Sequence, residues 1–201
     1  MAYLFNKVAK GHKLSKAERL PVDQKTRDWL RDIAQRAQRT SFKNTHAKNE
    51  EPFKRLQSLS DNSIGKMYTF VYDPKWKDDL PYYDIYPLIF PIEYYGDSML
   101  GINMHYLPPI LRAQLMDALY HTLNNEKYNK TTRLQISYKI LKGAAAYGYF
   151  KPCVKKYLFS HVRSQFVYIS PDEWDIALML PTQQFKKASA EKVWTDSRNK
   201  F

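Results

Sequence analysis

The sequence predicts an α+β protein: a small antiparallel sheet or half-open barrel with helices packed on it, plus a basic extended N-terminal arm that carries one helix. Three observations predict it. Residues 64–106 hold aromatic-rich apolar runs separated by turn residues. Residues 108–147 hold two stretches with apolar side chains at helical spacing. Residues 1–63 are polar and basic, with a net charge of +7.

Three segments follow: a basic arm at 1–63, an α+β core at 64–180 and a basic tail at 181–201. In the arm, residues 1–21 are weakly periodic. Residues 23–39 read as an amphipathic helix capped by Asp23, with Trp29, Leu30, Ile33, Ala34 and Ala37 on one stripe. Arg27, Arg31, Arg36 and Arg39 lie mostly off that stripe, as phosphate-gripping side chains or as an ordinary solvated face. Residues 40–63 are short of aliphatics and read as a linker.

The core opens with a strand over 64–72, a turn at Asp73-Pro74 and a loop of mixed charge. A second strand covers 86–95, where Pro87 and Pro91 demand an edge position or a bulge. Gly96-Asp97-Ser98 forms a hairpin turn, and residues 99–106 return. Pro109 starts a helix over 108–125. A second helix spans 131–147, capped by Thr131 or Thr132, and a third, basic helix spans 152–164. Residues 166–169 are a short strand that rejoins the sheet. Ser170-Pro171-Asp172-Glu173 is a capping box that opens a helix to about Met179. The tail from 186 is polar and basic, anchored by Trp194.

The whole 201-residue chain carries a net charge of +12, and the middle block 64–104 is −3 against +8 for residues 105–201. The positive flanks favour polyanionic partners. The single cysteine, Cys153, excludes an internal disulfide and a cysteine-rich zinc site. No apolar run approaches a membrane span, and the first 20 residues lack the pattern of a signal peptide, so no membrane partner is expected. Tyrosine, with 16 copies, suits interfaces and base stacking as well as a core.

Catalytic patterns are scarce. No glycine-rich phosphate loop, nucleophile elbow or paired-histidine metal motif occurs. His105, close to Asn103, is a candidate site residue, although a core or turn histidine explains it as well. Asp73, Asp78, Asp79 and Asp84 share one loop segment with Lys75 and Lys77, which suits a solvated loop or a contact with a basic partner better than a two-metal nuclease. Neither a catalytic residue, a metal nor a cofactor is expected. In 151–163, Lys151, Lys155, Lys156, His161 and Arg163 alternate with Tyr157 and Phe159 as a candidate phosphate-facing ridge. Tyr82, Tyr83, Tyr86, Tyr94 and Tyr95, with Trp29 and Trp194, are candidate protein-docking residues.

Four phrases together, MYTFVYDPKWKDDLPYYDIYPLIFPI, LGINMHYLPPILRAQLMDAL, SHVRSQFVYISPDEWDIALMLPTQQFKKAS and VWTDSRNKF, resemble a small virion structural protein of T-even-like contractile-tailed phages, some of which are labelled DNA end protectors. The resemblance covers most of 64–201. It implies a non-enzymatic virion component, made in the host cytoplasm, that contacts double-stranded DNA ends or neck, tail or baseplate proteins. Two readings lead. In the first, the protein binds and protects packaged DNA ends near the head-tail junction, through Arg27, Arg31, Arg36, Arg39, Lys155, Lys156 and Arg163. In the second, it is a tail, baseplate or hub component that docks by its arms without touching DNA. A host-directed inhibitor whose acidic loop imitates DNA, and an enzyme using Asp73, Asp84 or His105, rank below them.

Overall fold

The computed structural model describes residue 32 and residues 66–123, 126–146, 148–174, 177 and 183–199. The arm helix, with Arg27, Trp29, Arg31, Arg36 and Arg39, lies outside the described residues, apart from the helical, exposed Asp32.

In chain order the strands are β1 (Met67–Thr69), β2 (Tyr83–Asp84), β3 (Leu88–Tyr94) and β4 (Ser98–Asn103). The helices α1 (Pro109–Leu123) and α2 (Lys130–Ala146) follow, then β5 (Val154–Leu158), β6 (Val167–Ile169), β7 (Phe185–Lys186) and α3 (Ala190–Asn199). Five strands form one antiparallel sheet in the order β5-β4-β3-β1-β6, and β2 pairs with β7 in a two-stranded ribbon. The α+β class is therefore as expected, and the 166–169 strand does rejoin the sheet.

Strand pleating sends alternate side chains to opposite faces. On one face, Met67, Phe90 and Ile102 meet Met116 and Leu119 of α1, Leu141 of α2, and Trp174. On the other, Tyr68, Ile89, Met99 and Tyr157 meet Phe70 and Tyr72. These rings pack edge to face, with Tyr72 and Tyr157 centroids 4.9 Å apart and Phe70 and Tyr157 at 5.4 Å. Covering both faces removes any polar side from the central strands. That is why Leu88–Ile92 reads as an unbroken apolar run.

Pro91 does not place its strand at an edge: β3 lies between β4 and β1. The other expected solution is the one used. The β3–β4 register shifts between Pro91 and Glu93, a bulge that relieves the ladder of the missing N–H. The hairpin turn forms where expected, with Tyr95 N donating to Ser98 O at 2.7 Å.

Three elements differ from the sequence reading. Residues 152–164 are not a helix. They form the end of a 3-10 turn (Gly148–Cys153), the edge strand β5 and a second 3-10 turn (Phe159–His161). The apolar spacing of Val154, Tyr157 and Leu158 suits either structure, and pairing with the free edge of β4 decides it. The α2 cap is Asn129, whose Oδ1 accepts from Thr132 N at 2.8 Å, rather than a threonine. The polar tail text contains α3, because the fully buried Val193 and half-buried Trp194 dock it onto the core. After the capping box, where Glu173 Oε2 accepts from Ser170 N at 3.1 Å, Pro171–Glu173 is a 3-10 turn and Trp174 and Ala177 are helical. The rest of that expected helix lies partly outside the described residues.

Candidate nucleic-acid interface

The candidate acid-base residues form a buried brace. Asp84 leaves the acidic loop by entering β2, while Asn103 and His105 sit where β4 runs into a 3-10 turn (Met104–Tyr106). His105 Nδ1 lies 2.6 Å from Asp84 Oδ2, and both side chains are about 1% exposed. Asn103 Nδ2 donates to Asp84 Oδ2 at 3.2 Å and to the Tyr157 hydroxyl at 3.0 Å. Tyr86 N and Gln184 N donate to Asp84 Oδ1 at 3.1 and 3.3 Å. Trp194 Nε1 closes the brace on His105 O at 2.8 Å. Burial works to raise the Asp84 carboxyl, but the His105 charge and hydrogen bonds from His105, Asn103 and the Tyr86 amide hold it below the ordinary carboxylate value.

The neighbouring titratable groups are equally enclosed. Burial lowers Arg112 to about 10 and raises the Cys153 thiol to about 12. With both side chains buried, the geometry is that of an internal tie joining β2, β4 and α3. Among the described residues, no three His, Cys, Asp or Glu side chains are grouped to hold a metal ion. No described helix is long and apolar enough to cross a membrane.

The acidic text is likewise divided by the fold. Asp73 pairs with Lys77 at 3.1 Å and with Arg163 at 3.7 Å. Asp78 and Asp79 are exposed and Asp84 is buried, so the four carboxylates do not form one cluster.

The described members of the expected basic ridge also separate. On β5, Lys155 and Lys156 point to opposite faces of the sheet. Lys155 Nζ lies 4.1 Å from the centroid of the buried Tyr106 ring. Arg163 donates to Ser160 O at 3.2 Å and faces Asp73. Lys156 faces outward beside the hairpin, its Nζ 5.3 Å from the Tyr95 ring centroid. That ring also feels the charge of Lys142 on α2, and Lys142 Nζ lies 5.5 Å from the Tyr138 centroid. Lys139, one helical turn from Lys142, is exposed on the same side of α2.

Lys156 with Tyr95 on the hairpin and Lys142 with Tyr138 on α2 thus form two lysine–ring pairs, and Lys142 is near enough to Tyr95 for its charge to act there. Such a surface attracts phosphate and offers rings for base or sugar contact. Glu93, beside Tyr95, and Asp97, near Lys156, limit its net charge. The sequence reading named Lys156 and Tyr95 but missed Lys142 and Tyr138, because they stand on a different element. Their helical spacing, i and i+4, was the available signal.

The candidate docking residues are placed as follows. Tyr86 and Tyr95 are exposed. Tyr82 packs on Tyr106, centroids 6.1 Å apart, and Tyr83 pairs with Lys186 in the ribbon. Tyr94 packs against the aromatic core cluster, and Trp194 turns inward to His105.

The fold and site define a small α+β protein with an enclosed polar brace and an outward surface of lysines and aromatic rings. A family model described as the phage T4 terminal DNA protecting protein matches residues 6–197, and the chain belongs to that family. This is the end-protector group to which the sequence phrases pointed, and the match extends into the arm, where their resemblance was weak. No curated protein and no solved structure matches the chain.

Proposed function

We infer that this phage protein binds the ends of linear double-stranded DNA and shields them from degradation, without catalysing a reaction. The observation that carries the reading is the family match over 6–197. The net charge of +12 and the lysine-aromatic surface around Lys156 and Lys142 support it, since lysines that neutralise phosphates release counterions on binding. Arg27, Arg31, Arg36 and Arg39 in the arm extend the same positive surface in this reading. The protein acts in the virion near the head-tail junction, after assembly in the host cytoplasm. The exposed Tyr86 serves docking onto neck, tail or baseplate neighbours.

A titration of linear and circular duplexes of equal length at two salt concentrations tests this. Tighter binding of the linear form, weakening steeply with salt, is the expected result. No binding to either form at low salt would overturn it and leave a virion component that docks only on protein.

A further inference from the structure

Trp76 is 61% exposed, more than any other large hydrophobic side chain among the described residues. A singly exposed apolar side chain is ordinary on a protein surface, and what sets this one apart is how its loop is held. The loop that carries it is firmly built. Asp79 N and Leu80 N both donate to Trp76 O, at 3.1 and 3.0 Å. Lys187 Nζ donates to the carbonyls of Lys77, Asp78 and Leu80 at 2.7, 2.8 and 3.0 Å, using all three of its protons. Lys187 holds a φ of 69°, in the left-handed region that disfavours a lysine. The chain accepts that strain where the ammonium group clamps the loop. Lys75 Nζ lies 5.0 Å from the Trp76 ring centroid and adds a further restraint. The ring is therefore presented pre-ordered, and little conformational entropy is lost when it binds.

Charge selects the occupant. In the loop and its clamp, Asp73, Asp78 and Asp79 face Lys75, Lys77, Arg163 and Lys187, an excess of a single positive charge. The Lys187 protons are already spent on carbonyls and the rest of the loop is neutral, so it gains little from the phosphate-lined flank of a duplex. The outer face of a terminal base pair is flat and uncharged, and it exists only where a duplex ends. An aromatic ring stacks on any base, whatever the sequence.

We propose that Trp76 stacks on the exposed terminal base pair of double-stranded DNA and so distinguishes an end from the side of a duplex. This deepens the end-binding reading and rests on it. It also gives the loop a task that phosphate contacts cannot perform, because phosphate contacts carry no information about ends.

The test compares the full chain with its Trp76→Ala and Trp76→Phe variants. The probes are a short blunt duplex and the same duplex closed at both ends by hairpin loops, followed by fluorescence anisotropy. The wild type is expected to prefer the open duplex. Trp76→Ala should weaken open-end binding by about fivefold to 150-fold, the range for loss of one stacked base. Its affinity for the closed duplex should not change, and Trp76→Phe should keep part of the preference. A 2-aminopurine in the terminal pair should report the stack with the wild type and lose that signal with Trp76→Ala. A Trp76→Ala protein that keeps the full wild-type preference would overturn the role of Trp76 and leave end binding intact. A wild-type protein that binds both duplexes equally would overturn the end-binding reading itself.

Discussion

Replacing Asp84 with alanine removes the acceptor on which the polar brace converges. In the folded protein the carboxylate takes hydrogen bonds from Asn103 Nδ2, Tyr86 N and Gln184 N, and lies 2.6 Å from His105 Nδ1. The substitution leaves these groups buried without their partner and opens a small cavity. Breaking a buried charged pair by removing one member costs about 3–5 kcal/mol. That is a large share of the roughly 5–15 kcal/mol that holds a domain folded. With a urea slope near 2 kcal/mol/M, a loss of about 4 kcal/mol moves the unfolding midpoint down by about 2 M. Urea titration at pH 7, followed by tryptophan fluorescence, measures this directly, because Trp194 donates to His105 O and reports the brace.

The pH dependence adds a second arm to the same assay. The folded Asp84 carboxyl sits below its ordinary value, so the unfolded chain takes up the proton first. The contribution is complete above about pH 4, where the unfolded carboxylate is ionised, and is lost as pH falls through the depressed folded value. The gap between wild type and Asp84→Ala should therefore narrow on acidification below about pH 4. A midpoint shift under about 0.3 M at pH 7, or a gap that widens in acid, would refute the brace.

Gly101 opposes Pro91 and Lys155 in the centre of the sheet, and an alanine Cβ there would lie 3.0 Å from Ile89 Cδ1 and 3.3 Å from the Phe90 carbonyl. Gly101→Ala should cost about 1–3 kcal/mol by overpacking, read as a lowered thermal midpoint. Cys153, 1% exposed with its thiol raised to about 12, should resist a thiol reagent at pH 8 in the native protein and react fully once unfolded. Lys156→Ala and Lys142→Ala should each weaken DNA binding and reduce the salt slope by about 0.9, measured by titration across salt concentrations. Lys155→Ala, whose ammonium packs on Tyr106, should leave that slope unchanged and instead lower stability in urea.

The parts of the fold that local chemistry decides could be read from the sequence. The hairpin at 95–98, helices α1 and α2, and the capping box at Ser170 all follow from spacing and turn residues. Pro91 forced a choice between an edge and a bulge, and which one held depended on β1, about 20 residues earlier in the chain, pairing with the far side of β3. Pairing also decides β5. Val154-Lys155-Lys156-Tyr157-Leu158 has no decisive period, and only the open edge of β4 makes it a strand. Helix α3 has one aliphatic contact, Val193, so its text resembles a polar tail.

The site was legible one residue at a time and not as an arrangement. Lys155 and Lys156 look equivalent in the text, yet strand pleating sends one inward to Tyr106 and the other outward to Tyr95. Lys142 and Tyr138 joined Lys156 only through packing of α2 beside the hairpin. Asp84 seemed to belong with Asp78 and Asp79 until β2 carried it beneath the surface. Trp76, between Lys75 and Lys77 in a polar loop, carried a visible signal. Its weight came from the Lys187 clamp, which arrives from 107–110 residues away.

Digestion of a linear duplex by an exonuclease, with and without saturating protein, tests the central claim most directly. The account predicts that both ends survive in the bound DNA, while a nick introduced within the same duplex stays open to attack. Digestion of protein-saturated linear DNA at the rate of naked DNA would contradict it.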